Sequence, residues 1–257
     1  MIFRIKAFLA YWFDKKDQHS LHSPFLYDFY VNALISRLGV ENKNIEKLRS
    51  QFLKEETILK GNGMGAGTVV LNPRTISSIV RNGISTKSRS KLLCRIIEYF
   101  EYSNVLELGT SVGLNAAYLA SPTCVKSVTS VEGNGEIFEK AHEVKSKLEL
   151  DNLTLVHKDI DEFLIDCLSQ KAQFDFIYVD ANHTYEATLN YFTQLKQLWV
   201  SGSVMIFDDI HWSVEMHRAW KEIVRNCGES LVIERFNLGM VFHPNVEASG
   251  HYVLDFK

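Results

Sequence analysis

The sequence predicts an α/β protein: a doubly wound, mostly parallel sheet with helices on both faces, antiparallel strands at one edge and an N-terminal helical cap. Three observations predict it. From Lys91 onward, short apolar runs alternate regularly with stretches of helical periodicity, the pattern of successive βαβ units. The first of these runs passes directly into a glycine-bearing turn and a helix start, Val105-Leu-Glu-Leu-Gly-Thr-Ser-Val-Gly-Leu-Asn-Ala116. Residues 1–90 carry helix-like segments and little strand pattern. The expected division is therefore a cap with a glycine-rich loop over 1–90 and a main domain over 91–257.

The elements follow in chain order. Residues 1–13 are aromatic and apolar but interrupted by Arg4 and Lys6, with no small-residue cleavage site before Asp14, so they predict an amphipathic helix packed on the body or on a partner, not a signal peptide. No apolar run reaches the roughly 18–20 residues needed to span a bilayer. Ser23-Pro24 is an N-cap followed by a first-turn proline, and Phe25, Phe29, Ala33 and Leu34 continue at helical spacing. His19 and His22 form an H-x-x-H pair with no second ligand cluster nearby in sequence. Gly61 to Gly67 holds four glycines in seven residues and predicts a loop, either a linker or a lid.

In the main domain, Leu92, Leu93, Ile96, Ile97 and Phe100 mark one helix face. Strand-like runs lie at 105–108, 125–131, 153–157, 174–179 and 203–207. Helical stretches separate them at Asn115–Ala120, Glu136–Leu150, Asp161–Leu168, Tyr185–Leu198 and Ser213–Asn226. Three short β-like pieces, 231–236, 240–243 and 251–256, complete the edge.

Composition excludes several classes. With 257 residues, 46% hydrophobic and 23% charged, the chain can bury a sizeable core. A net charge of -3 leaves no broad footprint for nucleic acid, and none is expected as a partner. Cys94, Cys124, Cys167 and Cys227 are scattered without a C-x-x-C pair, which fits reduced core thiols and a cytoplasmic location. A small-molecule ligand is the expected partner, and a homo-oligomer is compatible with the composition.

Ligands of open α/β sheets bind outside the carboxyl ends of the strands, so the residues ending each run carry the chemistry. The first run ends in Glu107-Leu-Gly109-Thr110-Ser111-Val-Gly113, where glycines permit a sharp turn and a close approach to a ligand. Glu107 is an acceptor that a phosphate-binding loop would avoid. The second run ends in Glu132-Gly133, and an acid there can accept from both hydroxyls of a ribose. The third leads to Asp159-Ile160, the fourth to Asp180-Ala-Asn-His183, and the fifth to Asp208-Asp209.

This ordered set resembles the class I methyltransferases that use S-adenosylmethionine, over roughly residues 85–257, and implies a Rossmann-like fold. In that family the glycine loop cradles the methionine part of the cofactor, the second-strand acid holds the ribose, and an acid after the third strand meets the adenine amino group. The resemblance puts these roles on Glu107 to Gly113, on Glu132 with Gly133, and on Asp159 with Ile160. Phe174-Asp-Phe-Ile-Tyr-Val-Asp180, with His183 and with Val204-Met-Ile-Phe-Asp208-Asp209, is similar to metal-dependent O-methyltransferases of the catechol and caffeoyl-CoA type. That similarity implies Mg2+ held by Asp180, Asp208 and Asp209, with Asp180 also near the cofactor. His22-Ser-Pro-Phe25 and Asp208-Asp-Ile-His-Trp-Ser213 resemble a narrower bacterial group, in which Gly63 to Thr68 would match a loop ahead of the cofactor domain.

Elementary chemistry agrees with a hydroxyl acceptor. Mg2+ takes oxygen ligands and keeps several waters, leaving room for substrate oxygens, and a metal-bound hydroxyl loses its proton more easily. His183 stands where the catechol-type enzymes carry a lysine base, and an imidazole can take a hydroxyl proton at neutral pH; it could equally ligate the metal or hydrogen-bond the substrate. Adjacent acids can instead cap the helix near Ser213 and leave a metal-free site. His211 and Trp212 are candidates for the acceptor pocket, while His217 and Trp220 read as core or helix surface.

Three rival functions share these residues. Gly109-Thr-Ser111-Val-Gly113 matches the nucleophile elbow of α/β-hydrolases, but the several strands that should precede it are absent from the pattern of residues 1–90. A nicotinamide enzyme would need G-x-G-x-x-G and no acid beside the pyrophosphate. A non-catalytic S-adenosylmethionine-binding module would not need the set Asp180, His183, Asp208 and Asp209.

Overall fold

The structure, a computed structural model, describes residues 2–36, 42–59, 74–244 and 246–256. The glycine loop 61–67 and its continuation to Thr68 lie outside the described residues.

Helix α1 (Ile2–Asp14) buries Ala7 and Tyr11. The Tyr11 hydroxyl donates to the Leu254 carbonyl at 3.0 Å, and burial pushes its pKa up to about 12. Helix α2 (Pro24–Phe29) starts as its sequence requires, with Ser23 Oγ accepting from the Leu26 amide and Pro24 in the first turn. It widens into a π-helical turn over 30–34, and Phe29, Ala33 and Leu34 are fully buried. Helix α3 (Lys43–Phe52), capped by Asn42, buries Ile45, Leu48 and Phe52. A two-residue antiparallel ribbon, β1 (Ile58–Leu59) with β2 (Arg74–Thr75), precedes α4 (Ile76–Asn82) and α5 (Lys87–Phe100). Four of the five residues read as the α5 face, Leu92, Leu93, Ile96 and Ile97, are buried.

Two compact units divide the chain: Arg37–Phe163, and Met1–Ser36 with Leu164–Lys257. The first carries β3 (Asn104–Leu108), α6 (Leu114–Leu119), β4 (Ser127–Glu132), α7 (Gly135–Leu148) and β5 (Leu153–His157). Its strands run parallel in the order β3-β4-β5, with Glu107 opposite Ser130 and Glu132 opposite His157. Helix α8 (Ile160–Gln170) follows β5.

The second unit carries β6 (Phe174–Val179), α9 (Tyr185–Leu195), β7 (Trp199–Asp208), α10 (Val214–Asn226), β8 (Leu231–Arg235), β9 (Leu238–Phe242) and β10 (Gly250–Val253). Its strands lie in the order β10-β8-β9-β7-β6. β9 runs antiparallel to both β7 and β8, whereas β10 pairs with β8 in parallel. Strand β7 begins at Trp199, earlier than its apolar run, because the polar residues 201–203 sit at a register shift between β6 and β7. The β6 residues Phe176–Val179 and the β7 residues Val204–Phe207 are all buried, as strands covered on both faces must be.

Helix α10, capped by Ser213, lays Trp220 on β9 at Gly239, where any Cβ would stand 2.3 Å from the indole. Trp220 is thus core, as its spacing allowed, and its Nε1 donates to Glu234 at 2.8 Å. All four cysteines are free thiols, with Cys94, Cys167 and Cys227 buried. Among the described residues no helix is long and apolar enough to cross a membrane.

Candidate functional site

In the unit Arg37–Phe163 the turn after β3 has left-handed backbone at Gly109, Ser111 and Gly113, with φ of 99°, 49° and 80°. Gly113 is needed twice over. Its φ disfavours a side chain, and an added Cβ would lie 2.9 Å from Ala141 Cα on α7. Gly113→Ala should destabilise the fold by roughly 3 kcal/mol, combining the left-handed penalty with overpacking; chemical denaturation measures it, and an unchanged midpoint would refute the close approach.

Glu107 is 1% exposed. Asn115 Nδ2 donates to its Oε1 at 2.7 Å and Ser130 Oγ donates to its Oε2. The carboxylate therefore braces the loop from inside the sheet. Asn115 and Ser130 escaped the sequence reading, although Ser130 lies opposite Glu107 in the parallel register. Thr110 Oγ1 joins the same network through Ser130, at 2.6 Å.

Glu132 closes the other side of the turn. Its Oε2 accepts from the Ser111 amide and its Oε1 from the Asn134 amide, both at 2.9 Å. Burial raises its pKa, against the pull of the Asn134, Ser111 and Gly133 amides. Gly133 lies between Glu132 and the N-cap of α7. Asp159 Oδ1 accepts from the Asp161 amide at 2.9 Å at the start of α8, whose first residue is Ile160.

In the other unit, the parallel register sets Val179 beside Phe207, so Asp180 and Asp208 follow at adjacent strand ends. Tyr178, two residues before Asp180 and so on the same face of its strand, gives its hydroxyl to Asp208 Oδ2 and lies 3.5 Å from Asp180 Oδ2. Asp208 is 2% exposed, and its Oδ1 accepts from the Asp209 amide at 2.6 Å. Asp209 has a φ of 51°, its amide also reaching the Asn237 carbonyl at 2.8 Å. Tyr178 was missed because an aromatic within an apolar run reads as core.

His183 Nε2 lies 3.4 Å from Asp180 Oδ1. Its Nδ1 is covered and has no hydrogen-bond partner. Backbone φ values of 64° at Asn182 and 34° at His183 hold the ring there, an arrangement typical of strained functional turns. Desolvation lowers the imidazole pKa, but the hydrogen bond to Asp180 and the charges of Asp180, Asp209 and Asp208 outweigh it, so the net shift is upward.

Both oxygens of Asp208 are engaged within the chain, and among the described residues no three His, Cys, Asp or Glu side chains are grouped to hold a metal ion. His19 and His22 are exposed and belong to no such group. His211 is buried, with Nδ1 2.6 Å from the Phe236 carbonyl and its ring stacked on Phe236 at 5.2 Å. It lines a cavity of about 560 Å³ with Tyr11, His217, Trp220, Glu234 and His251. Burial holds His217 down at about 4. Trp212 is 53% exposed.

Residues 106–210 match the sequence family described as a methyltransferase domain. Over that span, from β3 past the end of β7, the chain is similar to methyltransferases. A protein of Arabidopsis thaliana provisionally named a caffeoyl-CoA O-methyltransferase is 25% identical to it over 163 residues, 61% of this chain and 68% of that one. The fold is shared with the O-methyltransferase TomG of Streptomyces achromogenes, solved with S-adenosylmethionine, at a TM-score of 0.57 and 15% identity over 83% of this chain and 93% of that one. It is also shared with an O-methyltransferase of Bacillus cereus bound to S-adenosylhomocysteine, at a TM-score of 0.54 and 19% identity over 63% and 84% of the two chains. The Ser111 amide is held by Glu132, and the match to a methyltransferase domain over 106–210 speaks against the hydrolase and nicotinamide readings.

Proposed function

We propose that this protein is a methyltransferase that transfers the methyl group of S-adenosylmethionine to a hydroxyl oxygen of a small-molecule acceptor, with His183 as the general base. The observation that carries this is the His183 ring: one nitrogen faces a carboxylate, and the other, though covered, has no partner. Buried polar atoms are nearly always paired, and an exception asks for a functional reason. Asp180 fixes the tautomer by accepting from Nε2, which leaves the Nδ1 lone pair to take the acceptor's proton. The imidazolium so formed is offset by the charges of Asp180, Asp208 and Asp209.

S-adenosylmethionine supplies an electrophilic methyl on sulfur: the new O–CH3 bond forms as the S–CH3 bond breaks, and S-adenosylhomocysteine leaves. Its binding we assign to the turn Gly109, Thr110, Ser111 and Gly113, braced by Glu107, to Glu132 with Gly133 for the ribose, and to Asp159 with Ile160 for the adenine. Proximity of acceptor oxygen and methyl then supplies much of the remaining rate.

Mg2+ on Asp180, Asp208 and Asp209, implied by the catechol-type resemblance, does not fit the donors as arranged. An octahedral ion needs several oxygen ligands turned toward one point, and among the described residues no three His, Cys, Asp or Glu side chains are grouped that way. No step is therefore routed through a metal. The test is transfer of labelled methyl from S-adenosylmethionine to a panel of phenols, sugars, lipids and peptides, with EDTA or with added Mg2+. Product carrying an O-methyl group, formed equally under both conditions, is the expected result. N- or C-methylated product would overturn the hydroxyl acceptor, and loss under EDTA restored by Mg2+ would return the acids to a metal.

A further inference from the structure

Helix α1 is apolar on both sides. Ala7 and Tyr11 face inward and are buried, yet Ile2, Ile5, Leu9, Trp12 and Phe13 are 73%, 55%, 49%, 52% and 75% exposed. At 100° per residue these five form one continuous stripe opposite Ala7 and Tyr11. Isolated exposed apolar residues need no explanation, but a contiguous stripe along a helix does.

Its charges point to what covers it. Helix α1 contains Arg4 and Lys6, and its one acid, Asp14, is its last residue. Lys16 follows just beyond the helix, and all three cations are exposed. Arg4 lies 5.1 Å over the ring of Trp212, which adds a further exposed aromatic beside the helix. Lys15 is already paired with Asp255, at 2.5 Å. An apolar stripe ending in Trp12-Phe13 and flanked by cations is the chemistry of a helix lying in the interface of an anionic bilayer, aromatic rings at headgroup depth and cations on phosphates. A second copy of the chain fits less well. In a two-fold pairing of the stripe, Asp14 is the one acid of α1 that could offset Arg4 and Lys6, and at 100° per residue it falls on the Ala7 side, away from the stripe.

We propose that the outward face of α1 docks this protein on anionic membrane surfaces, as a peripheral contact that does not span the bilayer. The direct test is co-sedimentation of the full chain with vesicles of phosphatidylglycerol and phosphatidylcholine in equal parts, and with phosphatidylcholine alone. The expected result is partitioning about tenfold stronger on the anionic vesicles, weakened by 0.5 M NaCl at roughly the loss of two screened cations. Leu9→Ser with Phe13→Ser should lower partitioning at least about tenfold, with the melting temperature unchanged because both side chains are exposed. Lys6→Glu should lower it on anionic vesicles only. Should the doubly substituted chain melt early, Trp12→Ser serves instead, and Trp12 fluorescence moving to shorter wavelength on vesicle addition is an independent positive. The proposal is overturned if the native chain stays in the supernatant with both vesicles, if the substitutions leave partitioning unchanged, or if sedimentation equilibrium shows a dimer that the substitutions dissociate. That last outcome would assign the stripe to a second copy.

Discussion

His183→Ala will lower kcat by about 10²- to 10⁴-fold, the usual contribution of a positioned general base, while the affinity for S-adenosylhomocysteine stays within about twofold, because no cofactor contact is assigned to the ring. The two effects separate because His183 sits with Asp180 after β6, whereas the turn and acids assigned to the cofactor follow β3, β4 and β5. Single-turnover methyl transfer and calorimetric titration with S-adenosylhomocysteine read them independently. Asp180→Asn should give a smaller loss: the amide can keep the ring in place, but it cannot stabilise the imidazolium. The native fold should survive His183→Ala, since removing the ring also removes a buried atom that had no partner. Full turnover in His183→Ala would remove the residue as base, and a parallel loss of cofactor affinity would make it a binding residue.

Legibility in the sequence followed the physical origin of each feature. The strand–turn–helix at Val105 to Ala116 was readable because its requirements are local: a buried parallel strand is a continuous apolar run, and left-handed turns favour glycine. Ser23-Pro24 was readable for the same reason, capping being a matter of a few adjacent residues. The start of β7 was not, since Trp199–Ser203 joins the strand across a register shift set by β6 and carries no apolar periodicity of its own. The same division holds at the site. Which acids end the strands was visible in one dimension, but what each carboxylate touches was not. Glu107 read as a ligand acceptor, yet it is held by Asn115 and Ser130. Asp208 was visible as a strand-end acid, but not the hydroxyl that Tyr178, four residues after the start of β6, delivers to it across the strand pair. Tyrosine in an apolar run carries two messages, packing and hydrogen bonding, and only the three-dimensional register shows which is used.

Glu132→Ala will weaken S-adenosylhomocysteine binding by about 10²- to 10³-fold, the equivalent of roughly two charge-assisted hydrogen bonds. Each Glu132 oxygen already accepts one backbone amide, from Ser111 or from Asn134. A carboxylate oxygen has two lone pairs, so beside the Ser111, Asn134 and Gly133 amides the carboxylate keeps acceptor capacity for a ribose. The same geometry links cofactor affinity to loop shape. Without the carboxylate, the Ser111 and Asn134 amides lose their acceptor, and Ser111 loses the bond that helps hold its φ of 49°. Apo stability should therefore fall as well, by about 1–3 kcal/mol. Glu132→Gln separates the two contributions: its carbonyl oxygen can keep one amide, its NH2 cannot accept the other, and its affinity should lie between those of the native chain and Glu132→Ala. Calorimetry with S-adenosylhomocysteine gives the binding loss and urea denaturation of the apo chain gives the stability loss. Native affinity in Glu132→Ala would show that the ribose is held elsewhere and that Glu132 serves the turn alone.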